Sequence, residues 1–121
     1  MKILAISVAP IFKDYVHGGS QRIFLDVMKN MSKKHQIKTF CTKRIDNNIP
    51  FKFNENFEVY PILPFRQFFP FPYMTNPKNL VDIIRIINEE SKWADCIYIH
   101  ADGYLLKSFL RTDLPIVTSY H

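Results

Sequence analysis

The residues best suited to chemistry are a glycine pair and two histidines. Gly18-Gly19 follows the apolar run Lys2 to Val8 and a short loop, and an amphipathic helical pattern begins directly after it. Glycine permits positive φ and close approach of a ligand, and a helix N-terminus offers unpaired N–H groups and a positive dipole end to an anion. The pair therefore has two interpretations: a phosphate-binding turn, or an ordinary strand-to-helix turn.

Both histidines stand where a strand-like run ends. His100 closes the run Asp95 to His100, just before an Asp-Gly turn, and His121 follows the run Leu114 to Tyr120. In doubly wound sheets, ligands bind beyond the carboxyl ends of the strands. We therefore expect the glycine pair and both histidines at the same edge of a sheet.

Several other chemistries are not supported by the sequence. The chain has three glycines, too few in the right places for either common nucleotide-binding glycine motif. Cys41 and Cys96 lack Cys-x-x-Cys spacing and lie in apolar runs, which is typical of buried free thiols. The four histidines are scattered, so neither a metal nor another cofactor is expected.

Composition predicts one globular domain. The chain has 121 residues, of which 47% are apolar and 22% charged, without a run long enough to span a membrane. Met1-Lys2 leads directly into a strand pattern rather than a signal peptide, so we expect a cytoplasmic protein. The net charge of +5 is spread along the chain, which argues against nucleic acid as a partner.

Two longer helices and one brief helix are predicted. The first has Ser20 as its N-cap and one apolar face made of Ile23, Phe24, Val27, Met28 and Met31. The second starts from the N-cap and N1 pair Asn76-Pro77 and continues to about Lys92. The brief helix covers Tyr104 to Leu110.

Five strands alternate with these helices, which predicts an α/β fold with a Rossmann-like, doubly wound, mostly parallel sheet. The first strand is expected at its centre. Lys43 to Asn56 is predicted as a loop, and the second and third strands are joined by either a hairpin or an irregular crossover. The predicted strands are Lys2 to Val8, His35 to Thr42, Phe57 to Leu63, Asp95 to His100 and Leu114 to Tyr120.

The stretch Pro64 to Asn76 is rich in both aromatic residues and prolines, so neither a helix nor a central strand can persist there. It has two interpretations. In the first, it is a loop that folds back over the core, because large aromatic side chains are mostly buried. In the second, it is an exposed apolar segment that binds an acceptor or enters a membrane interface.

Taken in order, five stretches resemble the N-terminal domain of the GT-B fold glycosyltransferases of the large retaining family 4. The stretches are Met1 to Ser7, Gly18 to Arg22, His35 to Thr42, Ala94 to His100 and Pro115 to His121. In this order, they resemble the family's opening strand, its Gly-Gly-x-Glu-Arg segment, its Gly-His-Glu-Val strand and its two later strands that end in His.

The resemblance implies transfer of a sugar from a nucleotide-sugar donor to a carbohydrate or lipid-linked acceptor, with retention and without a metal. It implies that Gly18 and Gly19 approach the donor diphosphate or the acceptor, and that His121 is a catalytic residue near the donor sugar. His100 would line the cleft, and Arg22 would bind substrate or serve a structural role. Peripheral contact with the inner face of the membrane is also implied.

The chain departs from the family pattern at two positions, and it is shorter than a whole enzyme of the family. Gln21 stands where the family has Glu, and Lys34 rather than Gly precedes His35. The resemblance implies that residues 1–121 correspond to part of the N-terminal domain and that the family's donor-binding C-terminal domain lies outside them; a fragment, a truncated form and a degenerate gene would all have this sequence pattern. We therefore expect this chain alone to be inactive. The alternative is a stand-alone, non-catalytic α/β module that binds a phosphate ligand or a partner.

Overall fold

A six-stranded sheet with a helix on each face forms the framework of the computed structural model, which describes residues 1–7, 9–16, 18–63, 77–100, 110 and 112–119. A short 3-10 helix, Ser91–Trp93, follows the second helix. The elements are β1 (Lys2–Ile6), α1 (Gly19–Met31), β2 (Gln36–Thr42), β3 (Phe51–Asn54), β4 (Phe57–Leu63), α2 (Pro77–Glu90), β5 (Cys96–Ile99) and β6 (Ile116–Thr118).

The strand order across the sheet is β3-β4-β2-β1-β5-β6. All neighbouring pairs are parallel except β3 and β4. The predicted α/β class and the interior position of the first strand are confirmed. Without β3, the five mutually parallel strands lie in the order β4-β2-β1-β5-β6. Numbered 1 to 5 along the chain, they have the spatial order 3-2-1-4-5, which is compatible with a Rossmann-like sheet. The chain reverses direction across the sheet between β1 and β5, and this is the topological switch point.

The stretch 43–56 was predicted as a loop, and this prediction was wrong because it contains β3. The Phe53 ring lies 5.0 Å from that of Phe57 and 5.4 Å from that of Phe51, while Lys29 Nζ lies 4.7 Å above Phe53. These ring contacts stabilise a short edge strand despite the surrounding asparagines. Because β2 and β4 are parallel neighbours, their connection is a crossover rather than a hairpin.

Alternate residues of β1 face opposite helices. Ile3 and Ala5 pack in the cluster that includes α1, whereas Leu4 and Ile6 pack in the cluster that includes α2. Burying each large aliphatic side chain contributes about 1.5–3 kcal/mol. The two clusters make β1 the rigid centre of a three-layer structure, and its carboxyl end is therefore a well-fixed position.

Helix α1 differs from its prediction in its cap and in its buried face. Gly18, not Ser20, is the N-cap, because Ser20 lies inside the first turn with its side chain turned toward β5. Ile23 and Val27 are about half exposed. The buried positions follow the i, i+3, i+4, i+7 spacing of a helix face, and they are Gln21, Phe24, Leu25 and Met28.

Helix α2 begins at Pro77 as predicted and ends at Glu90. In the described ranges, no helix combines the length and apolar character needed to cross a bilayer. The predictions for residues 64–76, for the brief helix from Tyr104 and for His121 lie outside the described residues.

Candidate functional site

The N-terminus of α1 lies beside the carboxyl ends of β1 and β5. Its N-cap, Gly18, has φ 91° and ψ 170°, a conformation that is essentially restricted to glycine. The first backbone hydrogen bond of the helix runs from Arg22 N to Gly18 O at 3.2 Å, and no side chain of the described residues caps the helix. The N–H groups ahead of Arg22 are therefore available to an anion.

Described side chains do not crowd the two glycines. Among the described residues, a Cβ atom built on Gly18 or Gly19 meets no other atom within 4 Å. Gly18 is constrained by its backbone conformation, whereas Gly19 is constrained by neither conformation nor packing. A ligand can therefore approach the backbone at Gly19 closely, and a side chain there would occupy that space without disturbing the fold.

His100 fastens the end of β5 to the first turn of α1. Its ring is only 3% exposed, and its Nε2 lies 2.9 Å from Ser20 Oγ and 2.9 Å from Ser20 O. Because a carbonyl oxygen can only accept a hydrogen bond, Nε2 must carry the proton and donate it. His100 Nδ1 is then the acceptor nitrogen when the ring is neutral.

Tyr98 and Ser119 complete this network on the other side of the ring. Tyr98 Oη lies 2.9 Å from His100 Nδ1 and 2.7 Å from Ser119 Oγ. With Nδ1 accepting, the tyrosine hydroxyl donates to the histidine and accepts from the serine. The chain of hydrogen bonds thus connects the end of β6, through β5, to α1.

A second contact fastens the same helix turn to β1. Gln21 is 4% exposed, and its Nε2 donates to Ser7 Oγ at 3.2 Å, while Ser7 Oγ donates to Ala9 O at 3.1 Å. Gln21 Oε1 has no hydrogen-bond partner in the described part of the chain. Consecutive residues, Ser20 and Gln21, therefore tie α1 to the two strands that flank the switch point.

The predicted site residues fall into three groups. Gly18, Gly19 and His100 come together at one sheet edge, as expected from strand order, and the exposed side chain of Arg22 lies on the same helix turn. His121 lies outside the described residues. His100 contacts Ser20 and Tyr98, and its contact with a ligand stays a prediction.

Sequence reasoning did not single out Tyr98, Ser119 or Ser7. A usable signal existed for Tyr98, because residues two apart in a strand point to the same face and Tyr98 is two residues before His100. Ser7 and Ser119 directly follow strands β1 and β6, where polar residues face the ligand edge. Gln21 was noticed only as a departure from a family pattern.

The surroundings of both cysteines disfavour the thiolate form. Burial raises the pKa of Cys41 to about 12, against a smaller opposing effect of a hydrogen bond with the Ile11 backbone. The pKa of Cys96 is raised by burial and by the nearby Asp95 carboxylate. Within the described ranges, His, Cys, Asp and Glu side chains form no cluster of three that could hold a metal ion.

No protein-family model matches this sequence, and no curated protein matches it significantly. The fold and the site therefore define the class: a mostly parallel α/β domain with a glycine-capped helix N-terminus at the switch point of its sheet.

Proposed function

We propose that this chain is the N-terminal, acceptor-side domain of a GT-B fold retaining glycosyltransferase of the family 4 type. The proposal takes its chemistry from the sequence resemblance. The observation that carries it furthest is the uncapped N-terminus of α1 at the switch point, where Gly18 has its glycine-only conformation. Such a helix end suits the diphosphate of a nucleotide-sugar or a phosphorylated acceptor.

In this proposal the residues have distinct roles. Gly18 and Gly19 bring backbone N–H groups close to the anionic group, and Arg22 adds a positive charge from the same turn. His100 and Gln21 hold that turn against β5 and β1, so that the N–H groups are oriented before the ligand arrives. His121 is assigned to the donor sugar by resemblance alone.

This chain alone is expected to bind weakly and to transfer nothing. Retaining transfer needs the leaving diphosphate to be held and its charge stabilised while the bond to the sugar breaks. In the proposed architecture those groups come mostly from a second domain across a cleft. Beside this helix end, the described residues other than Arg22 contribute serine, glutamine, tyrosine and histidine side chains, which bond to one another or to the backbone.

The test is an assay of the 121-residue chain against a panel of nucleotide-sugars, with sugar transfer and donor hydrolysis followed separately. The proposal predicts weak binding and no turnover. It also predicts that, if the reading frame continues into a donor-binding domain, the longer chain transfers sugar, and that Gly19→Val abolishes this transfer. Turnover by the isolated chain would contradict the assignment as one wall of a divided site.

The alternative is a non-catalytic α/β module that binds a phosphate ligand or a partner. One observation favours it: His100 is bonded to Ser20 and Tyr98, which suits a structural role better than an acid–base role. This alternative predicts binding of phosphate compounds with no contribution from the sugar portion of a nucleotide-sugar. Equal affinities for pyrophosphate and for every nucleotide-sugar, with no transfer when a second domain is joined, would favour the module.

A further inference from the structure

The hydrogen-bond partners of His100 suit either charge state of its ring. In the neutral ring, Nε2 donates to Ser20 O and Nδ1 accepts from Tyr98 Oη. Tyr98 Oη lies 2.7 Å from Ser119 Oγ, and either of these two oxygens can be the donor. A hydroxyl group both donates and accepts, so Tyr98 and Ser119 do not fix the direction of this chain of hydrogen bonds.

Proton uptake by Nδ1 would therefore break no hydrogen bond in the chain. Nδ1 would donate to Tyr98 Oη, Tyr98 would turn its own proton toward Ser119 Oγ, and Nε2 would still donate to Ser20 O. A backbone N–H beside Nδ1 would have opposed this step, because such a group can only donate. Histidine is also the side chain whose charge ordinarily changes between about pH 5 and pH 8.

A charge on His100 would lie against the first turn of α1. The ring is 3% exposed, so solvent screens its charge poorly. Its Nε2 lies 2.9 Å from Ser20 O, in the turn whose N–H groups precede the first backbone hydrogen bond of the helix, at Arg22 N. An anion held by those N–H groups would share this turn with the ring, and opposite charges about 4–6 Å apart favour each other's charged form.

The charged and titratable groups around the ring come from several elements. On β5, Tyr98 touches the ring, and on α1 the exposed Arg22 lies in the turn that the ring contacts, whereas β6 has no titratable side chain. His17, Asp102 and His121 lie outside the described residues. The other titratable side chains of α1, β1 and β5 lie further along these elements, and they are Lys2, Asp26, Lys29 and Cys96.

We propose that His100 takes up a proton from solvent when a dianion binds at the N-terminus of α1, so that this helix end binds dianions more tightly in mildly acidic solution. The proposal rests on the anion site of the proposed function and adds its regulation by pH. The role of His100 is to carry charge, and no proton passes to the ligand.

The direction of the effect follows from linkage. A bound dianion favours the charged ring and so raises the titration midpoint of His100, and the proton strengthens dianion binding by the same factor. The gain in affinity is fully present below the midpoint of the ring in the empty site. It is lost as pH rises through the midpoint of the ring in the occupied site.

The test follows the ring resonances of each histidine of the 121-residue chain by NMR between about pH 5 and pH 8. Spectra are recorded with and without sulfate at constant ionic strength. Sulfate is the probe because it stays a dianion throughout this range, whereas phosphate and pyrophosphate themselves titrate. We expect sulfate to raise the midpoint of His100 by about one pH unit, and to bind the charged form about tenfold more tightly than the neutral form.

A pair of variants separates this coupling from a purely structural role. His100→Gln retains an N–H group that can donate to Ser20 O but cannot titrate, so its affinity for sulfate should persist and lose its pH dependence. His35→Gln is the matched control, because His35 precedes β2 at the opposite edge of the sheet. It should keep the pH dependence of the unchanged chain. If His100→Gln does not fold, the midpoint of His100 in the unchanged chain decides the matter alone.

The possible failures can be told apart. Sulfate that shifts the amides of Gly19, Ser20 and Gln21 while the His100 midpoint stays fixed would overturn the coupling and leave the anion site standing. Amides that respond to sulfate at no pH would overturn the anion site and the coupling with it. A midpoint raised at another histidine, with that of His100 unchanged, would likewise refute the assignment to His100.

Discussion

The imidazole of His100 lies 2.9 Å from the carbonyl oxygen of Ser20, across a sequence separation of 80 residues. This contact fixes the first turn of α1 to the end of β5 at the switch point of the sheet. The adjacent contact between Gln21 and Ser7 fixes the same turn to β1. The helix end is thus held from two strands, and among the described residues no atom lies within 4 Å of a Cβ atom built on Gly18 or Gly19.

Replacing the histidine should loosen this corner of the fold. His100→Ala leaves Ser20 and Tyr98 without their described partner on the ring and opens a cavity, so we expect the free energy of unfolding to fall by about 2–4 kcal/mol. Chemical denaturation measures this change. Arg22→Ala is the control, because the Arg22 side chain is exposed, and it should change stability by less than about 0.5 kcal/mol. Equal small effects would contradict the fastening role.

The hydrogen-bond geometry also predicts the tautomer of His100. Nitrogen-15 NMR should find the proton of the neutral ring on Nε2, facing Ser20 O, with Tyr98 Oη donating to Nδ1. Tyr98→Phe should keep that tautomer, shift the Nδ1 resonance and lower the free energy of unfolding by about 1 kcal/mol. A ring protonated on Nδ1 in the unchanged chain would contradict this assignment.

The two glycines should respond differently to alanine. Gly18→Ala forces a Cβ into a glycine-only conformation, which should cost about 1–3 kcal/mol of stability. Gly19→Ala meets no nearby atom and should be neutral or stabilise the chain by up to about 1 kcal/mol. Thermal unfolding of both variants gives the comparison. Equal losses of stability in the two variants would show that steric crowding, rather than the backbone conformation of Gly18, makes a side chain unfavourable in this turn.

Cys41 should make the chain sensitive to alkali. Burial raises its pKa in the folded state to about 12, above the ordinary value of 9.0, so the unfolded chain loses this proton first. The unfolded state then binds fewer protons, and the free energy of unfolding falls as pH rises above 9.0, by at most about 1.4 kcal/mol per pH unit.

Denaturation at pH 7 and pH 10 tests this prediction in the unchanged chain and in Cys41→Ala. The variant should lose less stability between the two pH values. The pKa of Tyr60 is likewise raised to about 12, mainly by its hydrogen bond to Glu58, so some alkaline sensitivity should remain. Identical pH dependence of the two proteins would show that Cys41 titrates freely in the folded state.

Sequence patterns correctly predicted the elements that are determined by a few neighbouring residues. The apolar run of β1, the Pro77 start of α2 and the glycine turn before α1 are each visible over a few residues. The edge strand β3 was missed because part of its stability comes from contacts with other elements, such as that of Lys29 on α1 with the Phe53 ring, which composition does not show.

The candidate site was only partly predictable for a related reason. Strand order at the carboxyl edge was enough to group Gly18 with His100. The burial of Gln21 in preference to Ile23 was not predictable, because it depends on a hydrogen bond to Ser7 across the helix–strand boundary. Polar contacts between elements depend on tertiary geometry, whereas hydrophobic periodicity reports only on a single element.

The most direct test of the central claim is an NMR titration of the 121-residue chain with pyrophosphate, following the backbone amides of Gly19, Ser20 and Gln21. If the N-terminus of α1 binds anions, these amides shift together and saturably, and Gly19→Val weakens binding on the order of tenfold while leaving the fold unchanged. Amides of α1 that stay fixed while other residues respond, or unchanged binding by Gly19→Val, would contradict the claim that this helix end is an anion site.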